Sequence, residues 1–268
     1  LCEHSIVMNK KKGSENMDKK ELQNPALYTN RELSWLLFNK RVLSEARDKQ
    51  LLLFERLKFL SITASNLDEF FMVRIGSLVD MIHAEYTKKD IAGMSAKEQL
   101  DALMEETHKF AALQYSTYNR MLLPQLRANG LNFVEHHEQL TERQAQYVDE
   151  YFEENVYPVL TPMAVDSSRP FPLIRNKTLN IGALVAKKGE KDTEIEFATV
   201  QVPSVLPRVV RIPAAKEGDT EVAVLLLEEI IERNISKLFL NYNVLCAHPF
   251  RITRNADLAI DEDEAEDL

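Results

Sequence analysis

The sequence predicts an α+β protein. Its expected parts are a tail of residues 1–27, an amino-terminal three-helix bundle over 28–128, and a mixed α/β domain over 129–268 that is incomplete at its carboxy end. Three observations carry this. Apolar residues recur at steps of three and four through the first half, which is the period of a helix with one buried face. Pro158, Pro162, Pro170 and Pro172 then fall within fifteen residues, which predicts a break in regular structure there. Beyond them come short alternating runs with the helices set apart from the strands.

Taken in order, residues 1–26 carry Lys10-Lys11-Lys12-Gly13-Ser14 and little that can be buried, so a mobile tail is expected. Thr29 and Glu32 have the spacing of a capping box, and the first helix is expected to run to about Asp48. Leu33, Leu36, Leu37, Leu43 and Ala46 make one apolar face of it, and Trp35, Phe38 and Val42 a second. Trp35 could be a stacking platform, but a core tryptophan in a bundle is the better reading. The second helix covers about 53–84. Gly93 marks a loop, and Ser95 with Glu98 gives another capping box. The third helix continues to about Arg127, where Pro124 kinks its last turns and Asn129-Gly130 stops it.

In the second half, Leu131 to Val134 reads as a strand. Thr141 and Gln144 start a helix through about Tyr157. Leu179, Ile181, Ala183 and Val185 alternate, and Ile195, Phe197, Thr199 and Gln201 do so more weakly. Strands are also expected over Arg208–Ile212, Val222–Leu226 and Val244–Thr253, with a helix at about 227–240.

Composition narrows the function classes. The chain has 268 residues, 45% hydrophobic and 28% charged, a globular composition. No apolar run approaches the roughly 20 residues of a membrane-spanning helix. Residues 1–24 lack the apolar core of a secretory leader. Cys2 and Cys246 are far apart and form no redox or metal motif, so a cytoplasmic setting is expected, with membrane association left open. Six acids crowd into the last eight residues, and setting them aside takes the net charge from −9 to −3. Nothing in that balance suggests a nucleic-acid partner. The chain starts at Leu1, with Met8 and Met17 as candidate starts, and ends in a charged run, so a fragment is expected.

Within the second helix, Leu57, Leu60, Ala64, Leu67, Phe71, Ile75, Leu78 and Ile82 form one apolar stripe. Asn66 lies beside the stripe, with Ile62 and Phe70 one turn away on either side. A buried amide there needs partners. Asn66 and Glu69 have N-cap and N3 spacing, so the helix could break and restart at Ser65-Asn66. Alternatively the amide faces a ligand, since it offers two donors and an acceptor to the edge of a base. From spacing alone the cap is the better reading.

Three strings change that balance: Arg31-Glu32-Leu33-Ser34-Trp35-Leu36-Leu37-Phe38-Asn39, Glu55-Arg56-Leu57-Lys58-Phe59-Leu60 and Ser65-Asn66-Leu67-Asp68-Glu69-Phe70-Phe71-Met72-Val73-Arg74. In this order they resemble the amino-terminal helical domain of the polyphosphate kinases, specifically the family phosphorylated on histidine. Pro158-Val159-Leu160-Thr161-Pro162-Met163-Ala164-Val165-Asp166, with Arg169-Pro170-Phe171-Pro172, resembles the start of that family's second domain. So does Phe250-Arg251-Ile252-Thr253-Arg254-Asn255-Ala256-Asp257-Leu258 running into the acidic segment. The resemblance covers about residues 28–268 and is weakest over 85–150 and 187–240.

The resemblance implies a kinase that reversibly moves the terminal phosphate of ATP to inorganic polyphosphate through a phosphohistidine, with ADP as the other product. It implies that Asn66 contacts the ATP base, that Mg2+ neutralises the phosphates, and that the enzyme is a homodimer or homotetramer. It also implies that the catalytic histidine, the phosphate-binding groups and the magnesium ligands belong to a carboxy-terminal half absent from this chain. No catalytic residue and no metal ligand is therefore assigned here.

The residues agree. No glycine-rich phosphate loop is present. None of His4, His83, His108, His136, His137 and His248 sits in a resembling motif. His136-His137 could bind a metal, but without a third ligand in view surface histidines are the better reading. Arg169, Arg175, Arg251 and Arg254 read as paired surface groups. The acids of 261–267 lack calcium-loop spacing and read as a solvated first helical turn. The fragment alone is expected to be inactive. The rival readings are a non-catalytic helical adaptor and a nucleotide-sensing module.

Overall fold

The computed structural model describes residues 21–165, 173–189 and 195–255. Its first half is built from three helical runs. The first is α1 (Arg31–Arg47). The second joins α2 (Leu53–Glu69) to α3 (Gly76–His83) through a π-helical segment, Phe70–Ile75. The third joins α4 (Ala96–Thr117) to α5 (Leu123–Ala128) through another π-helical segment, Tyr118–Leu122. That second widening lies just before Pro124, where the missing N–H already disturbs the hydrogen-bond ladder.

The caps follow local chemistry. Ser95 and Glu98 form the expected box, and α4 starts there. Gly130 takes φ 81° just past α5, the left-handed geometry that ends helices. At α1 the cap is Asn30 and not Thr29. The Asn30 side chain accepts from the backbone N–H groups of Glu32 and Leu33, and Glu32 turns inward instead of closing a box.

The helix does not break at Asn66. The run stays helical there, and the Asn66 carbonyl accepts from the Phe70 N–H. The irregularity comes four residues later, as the π-helical segment. Asn66 is therefore no N-cap, and its side chain is available for other work.

Leu36, Phe70, Ile75, Leu78, Ala96 and Leu103 form the main bundle core, and Leu43, Ala46 and Phe110 a smaller one. Of the second apolar face expected on α1, Trp35 packs against the main core while Phe38 points outward. Phe38 is 54% exposed, Trp35 is half-buried, and the fully buried residue between the faces is Asn39.

The second half carries two sheets. The three-stranded sheet has the order β1-β6-β5, from β1 (Leu131–Val134), β5 (Val209–Ile212) and β6 (Val222–Leu226). β1 runs parallel to β6 and β5 antiparallel to it. The four-stranded antiparallel sheet has the order β2-β4-β3-β7, from β2 (Pro162–Val165), β3 (Leu179–Lys187), β4 (Ile195–Gln201) and β7 (Tyr242–Arg251). Strand β2 corrects the expectation that the proline-rich stretch is wholly irregular. Pro162 opens it, a first-residue position where a missing N–H is tolerated. Asp166 to Pro172, the acids of 261–267 and residues 1–20 lie outside the described residues.

Ile181, Ala183 and Val185 bury the expected face of β3. On β4 the buried pair is Ala198 and Val200, with Thr199, while Ile195 is exposed. Helices α6 (Glu142–Tyr151, opened by the Thr141–Gln144 box) and α7 (Leu227–Arg233) pack their apolar sides into the same core.

The two halves meet at the end of β7. Arg251 forks onto Asp68, and Asn255 Nδ2 donates to Asp80 Oδ2 at 3.0 Å. Asn255 also packs on Gly76, where an added Cβ would lie 2.7 Å from its Oδ1.

Candidate functional site

A cleft of about 200 Å³ opens between α1 and the α2–π segment, lined by Trp35, Phe38, Asn66, Glu69, Phe70, Val73 and Arg74. Its apolar part follows from helical spacing. Trp35 and Phe38 are three apart on α1, and Phe70 and Val73 are three apart across the π segment. Trp35 stacks on Phe70 with ring centroids 4.6 Å apart and planes 14° from parallel. Phe70 is buried and Trp35 only half so, which leaves an aromatic surface against the cleft.

Asn66 supplies the polar group. Its Nδ2 donates to Asn39 Oδ1 at 3.1 Å. Asn39 Nδ2 in turn donates to the Thr63 carbonyl at 3.2 Å, and Gln114 Nε2 donates to Thr63 Oγ1 at 2.9 Å. This chain of bonds fixes the plane of the Asn66 amide. Asn66 Oδ1 has no partner among the described residues, and one Nδ2 proton remains free.

The charged end of the cleft is Arg74. Its Nε lies 3.8 Å from Glu32 Oε2, while Arg31 holds Glu32 Oε1 at 2.9 and 2.6 Å. Glu32 is buried and shared between two guanidinium groups, so Arg74 keeps positive charge at the cleft mouth. Glu69 is the cleft's single carboxylate and is exposed. One carboxylate does not make the oxygen shell that Mg2+ requires, so these residues do not hold that ion by themselves.

Asn66 lines this cleft, whereas the histidines flagged in the sequence and placed by the structure lie away from it. His108 Nδ1 lies 2.7 Å from the Met104 carbonyl, and His248 Nδ1 lies 3.4 Å from Glu232. His136 and His137 sit at Glu229. None of them lines the cleft. Arg251 is a paired group, as expected. Sequence reasoning missed Asn39 and Arg74, and it gave Trp35 as a stacking platform only as the lesser of two readings. The signal for Asn39 was an amide at a buried helical position.

Two family models match this chain. One describes the polyphosphate kinase N-terminal domain and covers residues 28–134; the other describes the polyphosphate kinase middle domain and covers 143–268. The chain is 48% identical over 241 residues to a polyphosphate kinase of Lactiplantibacillus plantarum, covering 90% of this chain and 33% of that protein. It is 47% identical over 249 residues to one of Halalkalibacterium halodurans, covering 92% and 35%. A crystal structure of polyphosphate kinase from Porphyromonas gingivalis is similar with a TM-score of 0.75 and 31% identity, over 87% of this chain and 34% of that one. The chain thus spans about a third of the length of these relatives.

Proposed function

The chain belongs to the polyphosphate kinase family, and from that premise we propose that it forms the amino-terminal part of an enzyme that moves the terminal phosphate of ATP to inorganic polyphosphate and back. Residues 28–128 supply the adenine contact, through Asn66. Residues 129–268 supply contacts between copies in a homodimer or homotetramer. The phosphohistidine, the phosphate clamps and the Mg2+ ligands belong to polypeptide outside this chain, so the chain alone is inactive.

The observation that supports this reading best is the state of Asn66. Its amide is oriented by Asn39, its Oδ1 is unpartnered among the described residues, and a Trp35–Phe70 wall stands beside it. Adenine presents an exocyclic amine next to a ring nitrogen acceptor, and a carboxamide matches that pair with one acceptor and one donor. The apolar wall suits the face of a base. Arg74 gives the same cleft a positive end, which favours a nucleotide over a neutral ligand.

The test is discrimination between ATP and GTP in the complete kinase. Guanine carries a carbonyl where adenine carries the amine, so Asn66 favours ATP. Asn66→Ala is expected to bring the ratio of kcat/KM for ATP over GTP down about tenfold, since a mismatched polar contact is worth about 1–3 kcal/mol. An unchanged ratio would remove Asn66 from the base site.

A further inference from the structure

The turn after β1 and the first turn of α7 bring two histidines and two glutamates together. His136 and Glu138 flank His137, and Glu229 reaches them from α7. Glu229 is 8% exposed. Its Oε2 accepts from the His137 backbone N–H at 2.9 Å and lies 3.2 Å from His137 Nδ1. Its Oε1 has no hydrogen-bond partner among the described residues and faces His136 Nδ1 at 3.8 Å. One ligand atom from each of His136, Glu138 and Glu229 falls within 4.8 Å of the others.

We propose that His136, Glu138 and Glu229 form a binding site for a first-row divalent transition ion such as Zn2+, separate from the Asn66 cleft. The spacing of 3.8 Å is too long for a hydrogen bond. Two ligands each about 2.0–2.2 Å from a tetrahedral ion lie roughly 3.4 Å from one another, so a small rotation of His136 completes the pair. Glu229 is the fixed ligand. It is nearly buried, and His137 holds its other oxygen, the kind of outer contact that orients a metal-binding carboxylate.

His137 Nε2 also lies 3.6 Å from Glu138 Oε1, so the same ring stands between the two carboxylates and keeps Glu138 close to Glu229. His136 and Glu138 are exposed, so both can swing onto the ion with little loss of packing. One imidazole and two carboxylates, with water in the fourth position, suit Zn2+. Mg2+ prefers an octahedron of oxygens. The bound ion would tie the turn after β1 to α7, the helix that follows β6, the strand beside β1.

The test titrates the full chain with ZnCl2 by calorimetry, with MgCl2 as the contrast and the melting temperature read with and without metal. One equivalent of Zn2+ is expected to bind and to raise the melting temperature, with no response to Mg2+. His136→Ala and Glu138→Ala are each expected to weaken Zn2+ at least about tenfold while melting like the parent in EDTA, because both side chains are exposed. A parent chain that takes up no Zn2+ at about 1 mM would overturn the site. So would variants that bind Zn2+ as tightly as the parent, which would leave an ion-pair cluster only.

Discussion

Asn66 Nδ2 donates across the α1–α2 contact to Asn39 Oδ1, 3.1 Å away, and Asn39 is fully buried. Neither amide has a helix cap to make. Each belongs to a chain of bonds that ends on Thr63, one turn before Asn66 on the same helix. The pairing sets which edge of the Asn66 amide looks into the cleft.

If Asn66 reads the base as proposed, changing it is expected to touch stability and nucleotide binding together. Asn66→Ala leaves a buried acceptor on Asn39 without its donor, at about 1–3 kcal/mol, while a lost contact to the base raises the ATP KM about two- to tenfold. Asn66→Asp sets a carboxylate oxygen against Asn39 Oδ1, two acceptors with no proton between them. It is expected to lower the melting temperature, whereas a helix cap would tolerate Asp as well as Asn. Thermal melting of the variant in the complete kinase decides: an unchanged midpoint would show that the Asn39 bond does not form.

Asn39 is expected to act on ATP without touching it. Asn39→Leu keeps the volume roughly but frees the Asn66 amide to rotate and removes the donor to Thr63. The ATP KM is expected to rise about threefold with kcat unchanged, alongside about 1–2 kcal/mol of lost stability. A purely structural role would move the melting temperature and leave KM where it was.

The link between the halves is weaker than its geometry suggests. Arg251 places Nη1 and Nη2 on the Asp68 carboxylate at 2.9 and 2.8 Å, but the two side chains are 46% and 20% exposed. Water and salt screen such a pair, so its coupling is expected to be at most about 1 kcal/mol. A double-mutant cycle of Asp68→Asn and Arg251→Gln in urea denaturation measures it. A coupling of several kcal/mol would mean that the fork is far better shielded than these exposures imply.

Much of this was legible from local pattern. Ser95 with Glu98 and Thr141 with Gln144 form the boxes their spacing predicts, and β3 buries the residues its alternation names. The misses share a cause, which is partnership at long range. Thr29 and Asn30 are both good caps, and Asn30 is held at the helix start by its Nδ2 bonds to Asp90 Oδ2 and Gln99 Oε1, 60 and 69 residues away. A π-helical widening leaves the three-to-four spacing of apolar residues almost unchanged, so the segment 70–75 carried no signal. Asn66 stood out because it lay off the apolar stripe. Its partner is 27 residues earlier on another helix, and no spacing rule connects them. Trp35 packs against the bundle core as expected, and it also stacks on Phe70 and lines the cleft, a double role that spacing does not reveal.

Acid is expected to weaken the second half through Asp149. Its Oδ1 accepts from Arg233 Nε at 2.8 Å and from Asn234 Nδ2 at 3.2 Å, and its Oδ2 accepts from Arg233 Nη2 at 3.0 Å. The Arg233 hydrogen bonds hold its carboxyl below the usual aspartate range, against the opposing pull of burial. The folded protein therefore takes up this proton less readily than the unfolded chain. The stabilisation is fully present above the unfolded value of about 3.9 and is lost as pH falls through the lower folded value. Glu106, held down at about 2 by hydrogen bonds from Lys40 and Lys109, works in the same direction from the helical half, though it lies near the surface where screening cuts its effect. Asp149→Asn is expected to be less stable than the parent at pH 7 and to lose less on acidification, so that the two stability curves converge below about pH 4. Urea denaturation at pH 7, 5 and 3 reads this directly. A gap between parent and variant that stays constant across that range would show that Asp149 titrates alike in the folded and unfolded chain.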